Sequence, residues 1–440
     1  MTTTIFKKSL IAATIALTTG QVHAAAFQLN EHSASGLGRA YAGEAAIADN
    51  ASVLARNPAA MTTFDKMAVA VSGTYIKPDV DVEGSIPTPL GKLPASETGI
   101  APAAFVPASY FIQPLNDQWA WGLGLFSNYG LSTEYSKTNP AGAGAGDTSL
   151  ITVNLNPNVA YRINNNFSVG AGINAVYAKA ELNRYAGILS TIPPVSNVPG
   201  IGYDTNISSL KGDTWGFGWN LGTLYEVNEN HRFALTYRSQ VDLSFDGDFQ
   251  GSAAGLQTIQ NGKPVFKTVD GNLKLDLPAQ AEFAGYHRLN QQFAVHYSVN
   301  WTDWSTFQEL KATSGACNDG TPGQCLQKDE KFKDSMRYSI GGTWYINPAW
   351  EARLGFAYDN TPIEAEYRSL SIPDSDRIWY SAGATYHFNP DMSLDFGVTF
   401  IDGKEVDVNE GIPTHNSPLR WQGTSHGDAY LASVGFNMKF

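Results

Sequence analysis

From Tyr430 to the end of the sequence, apolar or small side chains fall on every second position. Tyr430, Ala432, Val434, Phe436, Met438 and Phe440 form one series, with Ser433, Gly435, Asn437 and Lys439 between them. Such a run is longer than most soluble strands. It predicts a strand tilted across a bilayer, one face in lipid and the other in a wet lumen; the edge strand of a soluble sandwich is the alternative. The same repeat recurs upstream. Ile151, Val153, Leu155, Val159 and Tyr161 alternate with Thr152, Asn154, Asn156 and Asn158, and Phe167, Val169, Ala171, Ile173, Ala175 and Tyr177 with Ser168, Gly170, Gly172 and Asn174. Ile378, Tyr380, Ala382, Ala384, Tyr386 and Phe388 share one face of a further strand.

Short polar turns punctuate these strands at Pro114–Asp117, Asn164–Asn166, Asn228–Asn230, Arg288–Asn290, Asn347–Pro348 and Asn389–Asp391. Each is flanked by alternating segments, as a tight hairpin requires. Roughly 40 to 60 residues separate successive turns, enough for two strands and one long loop. Short turns on one side and long loops on the other mark an outer-membrane barrel. Six short turns predict an all-β, antiparallel transmembrane barrel of about fourteen strands. The terminal aromatic, Phe440, suits recognition by the barrel-assembly machinery. The first strand begins near Met67, so residues 25–66, rich in Ala, Gly and Ser, precede residues 67–440 of the barrel. A periplasmic tail and a plug inside the lumen are the two readings; a lumen this wide leaks unless filled, which favours the plug.

The amino terminus supplies the compartment. Lys7 and Lys8, the apolar run Leu10–Leu17 and the small-residue site Val22-His23-Ala24 form a secretory signal peptide over residues 1–24. No later segment offers the roughly 18 consecutive apolar residues of a membrane helix. Aromatics at 12%, charged residues at only 16% and 42 glycines suit a barrel with a polar lumen and aromatic girdles. The net charge is −12, which excludes nucleic acid as a partner. Cys317 and Cys325, eight positions apart in a loop-like stretch of an exported chain, predict a disulfide.

Several strings then resemble one family. Ala26-Phe27-Gln28-Leu29-Asn30-Glu31, Ser35-Gly36-Leu37-Gly38-Arg39-Ala40-Tyr41 and Asn57-Pro58-Ala59 are similar to the N-terminal hatch of the FadL family of outer-membrane long-chain fatty-acid transporters. Ser127-Asn128-Tyr129-Gly130-Leu131, Trp215–Asn220, Leu235–Ser239 and Ser371-Ile372-Pro373-Asp374 follow in family order along the mature chain. The resemblance implies a fourteen-strand barrel with a hatch, in agreement with the turn count.

It also implies roles. A fatty acid is an anionic head on an apolar tail, so its carrier needs a greasy slot with a cation at one end. Arg184 resembles the family's carboxylate-binding arginine and Lys333 its second cation, an Arg being suited to bidentate contact and a Lys to a point charge. An ordinary salt bridge of Lys333 with Asp334 or Asp329 is the competing reading. Asn57, Pro58 and Ala59 match the hatch motif implied in gating. Gly130 sits where the family's third strand kinks inward to leave a lateral opening, although a small lumen residue would read the same. Ile188, Leu189, Ile192, Val195, Val198 and Ile201 make residues 186–209 unusually apolar for a loop, and they are expected to line an outer capture groove. The more polar loop between Gly247 and Gly271 departs from the family's partner loop.

No nucleophile elbow, dinucleotide fold or metal-ligand spacing appears, and His296 and His387 have no legible serine partner, so neither enzyme nor cofactor nor metal is expected. Three functions remain: passive uptake of long-chain fatty acids, uptake of aromatic or other uncharged hydrophobic compounds, and a structural or adhesive barrel such as a phage receptor. The two cations favour the first over the second, and the apolar loop and hatch favour transport over the third. Outer-membrane lipid and lipopolysaccharide would surround the barrel.

Overall fold

The computed structural model describes residues 26–412 and 419–440; the expected signal peptide lies outside them. Fourteen strands close into one antiparallel cylinder. They are β1 (Ala68–Thr88), β2 (Ala104–Pro114), β3 (Trp119–Phe126), β4 (Asp147–Arg162), β5 (Phe167–Tyr185), β6 (Asn206–Asn228) and β7 (His231–Arg238). Then follow β8 (Gln280–Arg288), β9 (Phe293–Thr302), β10 (Ser335–Asn347), β11 (Trp350–Asp359), β12 (Arg377–Asn389), β13 (Met392–Gly403) and β14 (Arg420–Lys439). Each pairs with its sequence neighbour, and β14 pairs with β1 to shut the ring. The six polar turns read from the sequence are the six tight hairpins on one rim, where Asn side chains such as those of Asn116, Asn164 and Asn290 accept backbone N–H groups and fix the reversal.

The alternation decides which face meets lipid. Tyr430 and Val434 are exposed on the outside of β14 whereas Ser433 is buried inside; on β4, Leu155 and Val159 face out while Asn154, Asn156 and Asn158 face in. The exterior is therefore apolar and the interior polar, the inverse of a soluble domain. Above the membrane band the wall continues. Gly130–Thr133 extends β3, Val241–Gly251 extends β7, Thr268–Leu277 extends β8, and Glu309–Asn318 and Pro322–Asp329 form a hairpin between β9 and β10. Cys317 and Cys325 are disulfide-bonded across that hairpin.

Residues 26–64 fill the lumen and are almost wholly buried. Two one-turn helices, α1 (Ala34–Leu37) and α2 (Glu44–Ile47), and two 3-10 turns, Ala51–Ala55 and Pro58–Thr63, make up this hatch. Elements so short cannot stand alone. Side-chain caps from Ser33, Asn50 and Asn57 start three of them, and the wall supplies the rest. Arg39 is fully buried and pairs with Glu44 at 2.6 Å and Asp49 at 2.8 Å. Backbone lies directly against the wall at Gly355, where an added Cβ would stand 2.1 Å from the Arg39 carbonyl carbon.

Candidate functional site

Above the hatch a cavity of about 1470 Å³ opens toward the long-loop side. One wall comes from the end of β5, where Leu182 and Arg184 alternate inward. Leu310, Cys325, Leu326 and Lys328 of the disulfide-bonded hairpin line another side, and Leu189, Ile192 and Val195 close over the top. The loop after β5 is folded as two 3-10 turns, Gly187–Thr191 and Val195–Asn197. Ile188 packs behind the lining beside Leu189, whereas Val198 and Ile201 are half-buried and do not line the cavity. The polar segment after Gly251 forms a small hairpin, Leu256–Gln260 with Lys263–Phe266, tied to the apolar loop by a 2.8 Å ion pair between Lys263 and Asp204.

Arg184 is buried at the cavity wall. Its Nη2 donates to Ser371 Oγ at 2.7 Å and Thr148 Oγ1 at 3.2 Å, and its Nη1 to the carbonyls of Asn183 at 2.9 Å and Asp147 at 3.2 Å. All four acceptors are neutral. Among the described residues no carboxylate lies within ion-pairing distance of this guanidinium, so a buried positive charge is positioned but not neutralised.

Lys333 stands elsewhere. It is 65% exposed and pairs with Glu364, neither of the acids considered from the sequence, and it does not line the cavity. The cavity's lysine is Lys328, 3.1 Å from Glu410 and 3.6 Å from Glu330. Burial pushes the Glu330 carboxyl up to about 7 despite the opposing pull of Lys328. The strand carrying Lys328 ends at Asp329, and Lys331, with a φ of +46°, turns the chain before Lys333.

Beneath the cavity the hatch's first residues meet a break in the wall. β2 pairs with β3 only from Ser109↔Leu125 to Pro114↔Ala120, and after Phe126 the chain bends inward. When extended structure resumes at Gly130, it pairs with β4 alone. The edge that β2 leaves open is met from inside: Leu29 N donates to Asn128 O at 2.7 Å and Gly130 N to Phe27 O at 2.8 Å. The Phe27 ring sits in an aromatic box, 4.5 Å from Trp304, 5.5 Å from Phe307 and 6.1 Å from Tyr129 between ring centroids, with Phe332 closing the far side. The apolar cluster holding this box runs on to Leu182, Leu310 and Leu326 at the cavity.

Asn57-Pro58-Ala59 lies at the other end of the hatch. The Asn57 amide donates to Ala45 O at 2.8 Å and Thr223 O at 3.0 Å, while its Oδ1 caps Ala59 N. In this structure the motif anchors the hatch to β6, where Gly222 leaves room for it.

A barrel with a lumen hatch, a charged apolar pocket and a bent third strand meets its counterpart in sequence: residues 15–440 match the family described as outer membrane protein transport protein (OMPP1/FadL/TodX). The chain belongs to the FadL family. The long-chain fatty acid transport protein of Escherichia coli O6:H1 is 45% identical, with 99% of each chain covered. Outer membrane protein P1 of Haemophilus influenzae is 37% identical over 98% of this chain and 99% of its own. In fold, a FadL homologue from Pseudomonas aeruginosa superposes with a TM-score of 0.80 at 22% identity, covering 94% of this chain and all of the other. The Pseudomonas putida toluene transporter TodX gives 0.66 at 18%, covering 95% and 100%. FadL-family proteins are outer-membrane transporters, not enzymes. Phe27, Trp304, Lys328, Glu330 and Glu410 were not singled out from sequence. Phe27 lay inside the hatch string that signalled the family; Trp304 joins it, and Lys328, Glu330 and Glu410 meet one another, only once the long loops fold.

Proposed function

We propose that the protein takes up long-chain fatty acids passively across the outer membrane. The observation that carries this reading is Arg184, a buried cation with only neutral partners at the wall of an apolar cavity. An amphiphile with an anionic head satisfies both halves of such a site. The relatives from Escherichia coli and Salmonella typhi that carry the name long-chain fatty acid transport protein, at 44–45% identity, support the same ligand class. The toluene transporters resemble the chain in fold alone.

The route follows from the parts. The apolar loop after β5 collects the ligand, and Leu189, Ile192 and Val195 pass its tail inward while Arg184 holds the carboxylate. Asn57-Pro58-Ala59 fixes the base of the hatch, so the moving part is its first segment, Phe27–Asn30. Withdrawal of Phe27 from the aromatic box empties a greasy slot continuous with the cavity and uncovers the open edge between β2 and Gly130, through which the ligand leaves sideways into lipid. Binding of a labelled long-chain fatty acid to purified protein is the test, with an uncharged alkane as competitor. Saturable binding weakened by Arg184→Ala supports the reading. Equal binding of the alkane and indifference to that substitution would replace it with a channel for uncharged hydrophobic compounds. For the exit step, uptake undiminished by Gly130→Val rules out the lateral path.

A further inference from the structure

Glu330 lies behind the cavity wall, 1% exposed, and its Oε2 has no hydrogen-bond partner among the described residues. Its Oε1 faces Lys328 Nζ at 3.6 Å, and Glu410 Oε1 faces the same ammonium at 3.1 Å. The second oxygen of Glu410 is occupied, accepting from Leu370 N at 2.7 Å. Two carboxylates therefore address one lysine, while among the described residues none pairs directly with Arg184, on which Glu410, Asp147 and Glu330 act only at longer range. If all four groups were charged, their sum would be zero, and Glu330 would oppose the attraction of Arg184 for a ligand carboxylate. An ionised Glu330 would also keep an unpaired anionic oxygen in a buried place, a costly arrangement that a protonated carboxyl avoids. Of the other charged groups lining the cavity among the described residues, Arg368 and Arg420 are positive and Asp319, Asp329 and Glu366 negative.

We propose that Glu330 is the specificity-determining residue of this pocket. Uncharged, it leaves the group of Arg184, Lys328, Glu410 and Glu330 with one net positive charge that selects an anionic amphiphile; ionised, it cancels that charge, and the preference over an uncharged chain of the same length weakens. The inference rests on Arg184 being the ligand's cation. Burial, with Glu410 adding to it and Lys328 and Arg184 opposing, brings the Glu330 carboxyl to about 7, so the change falls near neutral pH. The sign is fixed: raising pH ionises Glu330 and weakens anion binding.

A long-chain alkyl sulfonate, anionic throughout, and the alcohol of equal length are the probes, titrated into the purified full chain at pH 5.5 and pH 8.5. In the wild type the sulfonate-to-alcohol affinity ratio is expected to fall about tenfold as pH rises, the effect of about 1.4 kcal/mol of lost attraction. In Glu330→Gln it should stay at the wild-type low-pH value, with alcohol binding reporting an intact fold. A constant wild-type ratio, or an equal fall in Glu330→Gln, overturns the inference. Glu330→Asp, which keeps the charge, should retain the fall. Arg184→Gln separates the two readings: loss of sulfonate preference at pH 5.5 upholds the site even if Glu330 proves silent, and no loss removes both.

Discussion

Arg184 and Lys333 carry the same formal charge, but their surroundings give them different weight. A guanidinium held by four neutral acceptors in a buried wall interacts with an incoming carboxylate in a low-dielectric setting, where a charge-assisted hydrogen bond contributes about 1.5–3 kcal/mol. Arg184→Ala is therefore expected to weaken fatty-acid binding about tenfold to a hundredfold in a fluorescence titration. Lys333 is largely solvated and already paired with Glu364, so Lys333→Ala should change binding by less than about 1 kcal/mol. Lys328→Ala strips Glu410 of its partner and should weaken binding; Glu410→Gln added to it should recover most of the loss. The place of Arg184 at the cavity wall was legible because it closes a regular strand. The choice between Lys328 and Lys333 was not, since the strand ends between them and Lys331 turns the chain, so periodicity does not carry across.

At the scale of elements, the strands were readable, whereas the hatch was readable as a plug but not in its short turns. A period of two is local, and each tight turn carries its own Asn or Pro, so strand, face and hairpin follow from neighbouring residues. The hatch has no period; its short turns exist because wall strands meet them, contacts that join positions as distant as Gly43 and Ser298. The Asn57-Pro58-Ala59 anchor is testable. A Cβ on Gly222 would stand 2.1 Å from Asn57 Oδ1, so Gly222→Val should dislodge the hatch base and expose it to protease in an otherwise closed barrel. Gly315→Val, with nothing within 4 Å, is the control. Removing the Phe27 ring acts at the opposite end. A buried Phe→Ala truncation costs about 3–5 kcal/mol of packing, and Phe27→Ala is expected to free the first hatch segment and raise ligand-independent uptake of an uncharged hydrophobic dye.

For the whole molecule, all fourteen ladders join wall to wall, so the cylinder does not depend on the hatch for its strand hydrogen bonds. A chain lacking residues 26–63 is expected to close and to show a stable single-channel ion conductance in planar bilayers that the intact protein lacks. A hatch present but wrongly seated is a different matter. The seam between β1 and β14 runs from Ala68↔Lys439 to Ser85↔Gln422, uniting the two ends of the barrel, and the hatch is tethered directly to one lip of it. The hatch is expected to dock while the cylinder is still an open sheet, with that seam zipping last; seam pairing ahead of hatch burial in a pulse-labelling experiment would refute this order. Errors of hatch docking then surface during biogenesis, as an unzipped sheet with two adhesive edges open to periplasmic proteolysis, and seldom as a leak in the finished membrane.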